Sequence, residues 1–579
     1  MPSFGRDTIR YFKNDVSDMQ HFAARNFEDL LQLALPAFEG LLTDKQQERI
    51  VQDLLFDLMT FHAHAKLRMH TDTTLKSFRL ATRALGQSLR RFSSKTCTFY
   101  ADTNELPREI ASRLRKAANK AKKKGGTDQP ISESESSQIQ GKKFSMETYK
   151  THALSHYPDH AEKFGTYDSV STRSGEREHC YIKYMYEMVS KKDHTAGITV
   201  QERRHDLVRK LAQDPSKTKL FPQTEAQEML SGKYQETLES TNPSARYHIG
   251  TSQKNYTSIY KLTMAGKGDP ALVDFRQKLE MHLLKRLLPN EDNHDLDTIG
   301  IVNDRIIIHN LARFNITTYD CRRDQDVVNP KRHADIMMLS SDTEADSHPY
   351  IYARVIGIYH VNIRHFGPKS ASNKVEHMDV LHVRWFEHDM TYPCGWNAKR
   401  LPRLQFLPQH DSNAFGFVDP QVVLRGCYLM PAFAYGTTTE YLNFPNSIGR
   451  PPRFTPEGIV VDQDDFKYYY VGIAVDRDMW MRYRGGGVGH NATRRQTQGL
   501  EEEALGIKSK GKMREEKEME VESDSDDTDH MKVPQVPEAI DEAEKSDIDE
   551  EVVEEDSDYS DENNDPSDWD RDDNEGEDY

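Results

Sequence analysis

The 579-residue chain has a net charge of −17, unevenly spread: residues 501–579 hold 34 Asp and Glu against 8 Lys and Arg, which leaves residues 1–500 at +9. Like charges at that density, with few apolar side chains to offset chain entropy, exclude independent folding of the tail. The mildly basic body is long enough to bury two to four cores. Five scattered cysteines (Cys97, Cys180, Cys321, Cys394, Cys427) without a CxxC pair argue against a disulfide framework and a four-cysteine zinc site. No apolar run reaches the roughly 18 residues of a membrane helix. A reduced, soluble chain of the cytoplasm or nucleus is expected, neither secreted nor transmembrane.

Residues 1–124 predict a bundle-like module of four helices. Leu30, Leu31, Leu33 and Leu35, then Leu54, Leu55, Leu58 and Met59, fall at largely helical intervals, and Pro36 should kink or break the first. Thr71 and Asp72 cap a third helix carrying Leu75, Phe78, Ala81, Leu85 and Leu89. A fourth opens at Pro107 and stops at Gly125–Gly126. Residues 125–143 read as a disordered linker, and 144–215 as short helices around a Gly/Ser/Thr-rich loop. Residues 216–296 form an irregular connector ending in an amphipathic helix with Phe275, Leu279, Leu283, Leu284 and Leu287 on one stripe. From 297 to 490, β-branched and aromatic runs such as RIIIHNLARFNITTYD and YIYARVIGIYHVNI alternate with turn-formers, predicting a barrel-like β domain. Residues 491–579 complete the chain as the acidic tail. The expected fold class is α+β and multidomain, helical first and β-rich second.

A basic run closes the fourth helix. Arg113, Arg115, Lys116, Lys120, Lys122, Lys123 and Lys124 occur with no acid among them, as a phosphate-binding surface or nuclear import signal would require. The bland alternative is a solvated helix end whose cations complement the dipole. Upstream, Lys66, Arg68, Lys76, Arg79, Arg83, Arg90 and Arg91 extend the basic character; without interleaved aromatics, contact would be to phosphates. The glycine-rich RYRGGGVGH (482–490) lacks the strand and helix that flank a phosphate loop and reads as a flexible exit. In TTYDCRRDQD, Asp320, Asp324 and Asp326 interleave with Arg322 and Arg323, which predicts a salt-bridged surface turn more readily than a magnesium site. The histidines at 62, 64 and 70 and at 360–388 match no metal-ligand spacing, so no metal and no cofactor are expected. Ser523 and Ser525 sit among acids, as sites for an acid-directed kinase do.

Longer phrases carry a resemblance. FGRDTIRYFKNDVSDMQHFAARNFEDLLQLALPAFEGLL, KLRMHTDTTLKSF, FSMETYKTHALSHYPDHAEKFGTYDSVSTRSGEREH, ITTYDCRRDQDVVNPKRHADIMMLSS and DRDMWMRYRGGGVGH look like the region following the catalytic core in fungal Plavaka-type, CACTA-like transposases. The resemblance covers most of residues 4–490. It implies a catalytic core upstream of this sequence, with Glu176 of GEREH as the counterpart of the last catalytic acid. One carboxylate cannot hold the two metals of strand transfer, so a non-catalytic, transposon-derived binder of DNA or chromatin is expected. Its rivals are an incomplete nuclease and a scaffold without nucleic-acid affinity. A softer resemblance links YIYARVIGIYHVNI, MDVLHVRWFEHD and FVDPQVVLRGC to bromo-adjacent homology domains. It implies that Tyr350, Tyr352, Tyr359, Trp385 and Phe386 line either a cage for methylated lysine or simply the domain core. The tail would engage basic proteins.

Overall fold

The computed structural model describes residues 24–100, 109–115, 143–171, 173–213, 245–291, 294–340, 348–366, 374–450 and 465–506, together with positions 4, 5, 8–10, 12, 16, 104, 105 and 141. Helices dominate the N-terminal half and antiparallel sheets the C-terminal half. No described helix is long and apolar enough to cross a membrane.

The first three helices are α1 (Ala24–Phe38), α2 (Lys45–Ala65) and α3 (Asp72–Arg91). Pro36 is buried inside α1 rather than ending it, because only two helical residues follow. Asp44 caps α2 by accepting from the Gln47 N–H, and Thr71 caps α3 in a reciprocal pair with Thr74. Residues 109–115 are helical, as are Tyr157–Phe164, Arg173–Glu187 and His194–Gln213.

Fifteen described strands follow, paired antiparallel throughout. β1 (Tyr247–Ile249), β4 (Ala312–Thr317) and β5 (Arg323–Val328) make a three-stranded sheet. The ten-stranded sheet is organised by two long strands, β7 (Tyr350–His365) and β8 (Glu376–His388). One edge of β7 pairs first with β6 (Asp335–Leu339) and then with β3 (Ile299–His309), whose outer neighbour is β2 (Tyr256–Ser258). The far edge of β8 is shared by β10 (Phe415–Val418) and β9 (Arg403–Phe406). The path ends at β11 (Val423–Gly426) on one side and, through β15 (Tyr469–Val471), at β12 (Leu429–Pro431) on the other. Among the described residues it remains open, whereas a closed barrel would have no ends.

Three expected boundaries move. The helical module does not stand apart: Leu33, Leu35, Phe56, Met59, Ala63 and Leu67 share one core cluster with Tyr350, Tyr352, Leu404, Val471 and Trp480. Alternation alone cannot reveal that an amphipathic helix buries its stripe on a sheet. The connector contributes β1 and β2, and the helix Phe275–Leu287 packs Phe275, Leu279, Leu283 and Leu284 on Ile306, Val361 and Val380 of that sheet. The folded body also continues past residue 490. The helix Arg494–Ala504 buries Thr497, packs Leu500 on the main core, and offers Glu503 Oε1 to the Trp396 N–H at 2.9 Å. Residues 507–579, with Ser523 and Ser525, lie outside the described residues.

Candidate nucleic-acid interface

α3 places its side chains by simple periodicity. Phe78, Ala81 and Leu85 are buried and face α2, where Phe61 meets Phe78 with ring centroids 5.4 Å apart. Lys76, Arg83 and Arg90 recur every seventh residue and therefore lie along the opposite side, on a line about 21 Å long. All three are exposed, and no ion pair among the described residues neutralises them. Arg90 also borders a groove of about 550 Å³ between α3 and the segment from Met146 to Ser155. Thr148 caps the facing helix Tyr149–Ala153, and Tyr149 projects 83% exposed. Sequence reading missed Tyr149, because its apposition to α3 is tertiary.

The other four upstream cations face carboxylates within the fold. Lys66 pairs with Glu28 at 2.6 Å, Arg68 with Asp168 at 3.4 Å, Arg79 with Asp159 at 3.2 Å and Arg91 with Asp53 at 3.5 Å. In the expected basic run, Arg113 meets Glu105 at 3.0 Å and Arg115 is exposed. Lys116, Lys120, Lys122, Lys123 and Lys124 lie outside the described residues. Glu176 stands in the helix Arg173–Glu187, and its side chain also lies outside the described set.

The segment read as a flexible exit, and Asp326 at the end of the one read as a surface turn, enter a buried ionic centre, while residues 321–324 remain exposed. Arg425 on β11, 3% exposed, binds Asp326 at 3.0 Å, Asp476 at 2.6 Å and Asp478 at 3.0 Å. Asp478 also accepts from Arg482 at 2.9 Å, pairs with His490 at 2.7 Å and receives the Tyr319 N–H at 2.9 Å. Burial pushes Asp326 up to about 6, with Arg425 opposing and Asp476 adding to the rise. Burial would raise Asp478 too, but Arg482, His490 and Arg425 hold it well below the carboxylate range. The glycines explain the tight path: Gly485 and Gly486 have φ of 88° and 100°, and a Cβ on Gly489 would fall 1.9 Å from the Thr318 carbonyl oxygen. Guanidinium groups fill the space between these carboxylates, so the centre joins β5, β11 and the helix Arg477–Tyr483. Of the interleaved charges in TTYDCRRDQD, Asp320 with Arg322 at 3.1 Å retains the expected local pairing.

The five aromatics of the proposed cage do not converge. Tyr350, Tyr352 and Phe386 are buried in the main core, Tyr359 belongs to the cluster around Phe275, and Trp385 is half-buried against a third. Tyr350 donates to the Arg482 carbonyl and Tyr352 bonds Tyr483. A cage needs an open face, whereas these rings fill the body of the domain.

No family model, no curated protein and no solved structure matches this chain. Among the described residues, no group of three His, Cys, Asp or Glu side chains is placed to hold a metal ion.

Proposed function

We propose that this chain is a non-catalytic, transposon-derived nucleic-acid-binding protein that grips phosphates along the Lys76–Arg83–Arg90 ridge. The observation carrying this reading is a line of three exposed cations, without acidic partners among the described residues, on a helix whose other arginines are paired. Tyr149, across the groove from Arg90, offers a ring on which an unpaired base can stack. The Plavaka resemblance supplies the transposon origin. The chromatin-reader reading has less support, since its aromatics belong to three separate core clusters.

The test is fluorescence anisotropy of full-length protein with single- and double-stranded DNA across 50–200 mM salt. Three phosphate contacts contribute about −2.7 to the slope of log affinity against log salt, a loss of about 40-fold over that range. The triple variant Lys76→Glu, Arg83→Glu, Arg90→Glu should lose that contribution while melting at the wild-type temperature. Absence of binding at 50 mM, or an unchanged slope in the variant, overturns the proposal.

A further inference from the structure

Beyond the α3 ridge, the outer face of β7 and β8 brings together four polar side chains. The register sets His360 opposite Asp379 and Asn362 opposite His377, and period-two alternation turns all four to one face. His360 Nε2 lies 3.1 Å from His377 Nδ1 and 3.2 Å from Asn362 Oδ1, and His377 Nδ1 also contacts Asn362 Oδ1. Three lone-pair donors thus close a triangle. For bonds of 2.0–2.1 Å to a tetrahedral zinc ion, adjacent ligand atoms stand about 3.3 Å apart, close to the two His360 distances, while the shorter His377–Asn362 side would have to open.

The surroundings match what a ligating imidazole needs. Asp379 Oδ1 lies 3.1 Å from His360 Nδ1, which fixes the tautomer with Nε2 free to coordinate and makes that nitrogen more basic. Asp379 is itself held: Arg286 donates to its backbone carbonyl at 2.7 Å. The hydrogen bonds to Asp379 and Asn362 raise the pKa of His360, so a proton and a metal ion compete for its Nε2. A cation would satisfy all three lone pairs at once. His309, on the neighbouring strand β3, brings its ring centroid to 6.3 Å from that of His360, and its buried Nε2 has no hydrogen-bond partner. His377 is exposed and His360 keeps 18% of its side chain accessible, so an ion has an entry path and room for water ligands.

We propose that His360 Nε2, His377 Nδ1 and Asn362 Oδ1 form a binding site for a first-row divalent transition ion, with Asp379 as the positioning residue behind His360. Two imidazoles with one neutral oxygen favour zinc, nickel or copper over magnesium and calcium, which prefer all-oxygen sets. The site lies on the sheet and is independent of the DNA-binding proposal.

Equilibrium dialysis of full-length protein at pH 7.5 with zinc ion, and cobalt ion as a spectroscopic probe, tests the site. The double variant His360→Ala, His377→Ala should lose one bound equivalent and the visible cobalt bands. Asp379→Ala should weaken zinc binding 10- to 100-fold while keeping the stoichiometry. Asn362→Asp supplies a charged oxygen at the same position and should tighten binding, a readout that survives if the double variant misfolds. Equal equivalents and affinities in wild type and all variants would overturn the site, leaving the cluster a hydrogen-bonded surface patch.

Discussion

Replacing Arg425 by Met probes the buried ionic centre directly. The substitution removes a fork that binds three carboxylates and leaves Asp326, Asp476 and Asp478 facing one another, with only Arg482 and His490 opposing. Breaking a buried pair from one side costs about 3–5 kcal/mol, and that is the loss expected at pH 7. The pH dependence gives a second handle. Asp326 already titrates near 6, above its ordinary 3.8, so its contribution to stability is present below pH 3.8 and lost as pH rises through 6, about 3 kcal/mol in all. Without Arg425 its carboxyl rises further, so the variant should be penalised less at pH 5, where Asp326 is protonated, than at pH 7. Urea denaturation of both proteins at the two pH values measures this, with Arg425→Lys as the control that keeps charge but not the fork. A loss under about 1 kcal/mol at pH 7 would refute the account of the centre as a tertiary clamp.

Three further outcomes are expected. Gly489→Ala should cost more than about 3 kcal/mol, because its Cβ meets backbone at Thr318, whereas Gly499→Ala, in open space within a helix, should gain about 0.5–1 kcal/mol; comparable thermal shifts in both would contradict this. His64 is 1% exposed, and burial, Arg484 and His70 hold its imidazole well below 6.5, so its stabilising share is present above pH 6.5 and lost as pH falls. The variant His64→Leu should therefore lose about 2 kcal/mol less than wild type between pH 6.5 and 5, and parallel curves would exclude this. Deleting residues 507–579 removes 31 acidic and 8 basic residues without cutting the helix Arg494–Ala504. It should tighten DNA binding at low salt, and unchanged affinity would dismiss the tail as a competing polyanion.

Local signals in the sequence located the secondary structure well and the partners of each element poorly. The Thr71 cap, the α3 stripe and the strands around RIIIHN and YIYARV depend on neighbours a few residues away, and all stand where periodicity put them. The strands Tyr247–Ile249 and Tyr256–Ser258 are three residues each, too short for alternation to register, and exist because β4 and β3 pair with them. RYRGGGVGH looked like a flexible exit because its glycines match no phosphate loop. For Gly487 and Gly489 the reason, a close approach to Tyr319 and Thr318, lies more than 150 residues away in sequence. In the sequence His360 and His377 belong to a histidine-rich stretch that matches no metal-ligand spacing, because their separation of seventeen residues is set by a hairpin, not by a helix or a ligand motif.

Charge counting shows how far the fold changes a functional estimate. Seven cations between Lys66 and Arg91, taken from sequence alone, would contribute about −6 to the salt slope of DNA binding. Four of them already face carboxylates, at Glu28, Asp168, Asp159 and Asp53, which lowers the charge they present to a phosphate, although Asp168 and Asp53 are shared with Arg477 and Arg400. The three that remain share one line on α3 and reduce the expected contribution to about −2.7. Neutralising the paired acids should recover the difference. Asp53→Asn together with Asp159→Asn and Glu162→Gln, because Arg79 also pairs with Glu162, should steepen the slope while leaving the α3 ridge untouched. If the slope instead follows the total number of cations, with or without their acids, the ridge has no special role and phosphate contact is diffuse over the basic body.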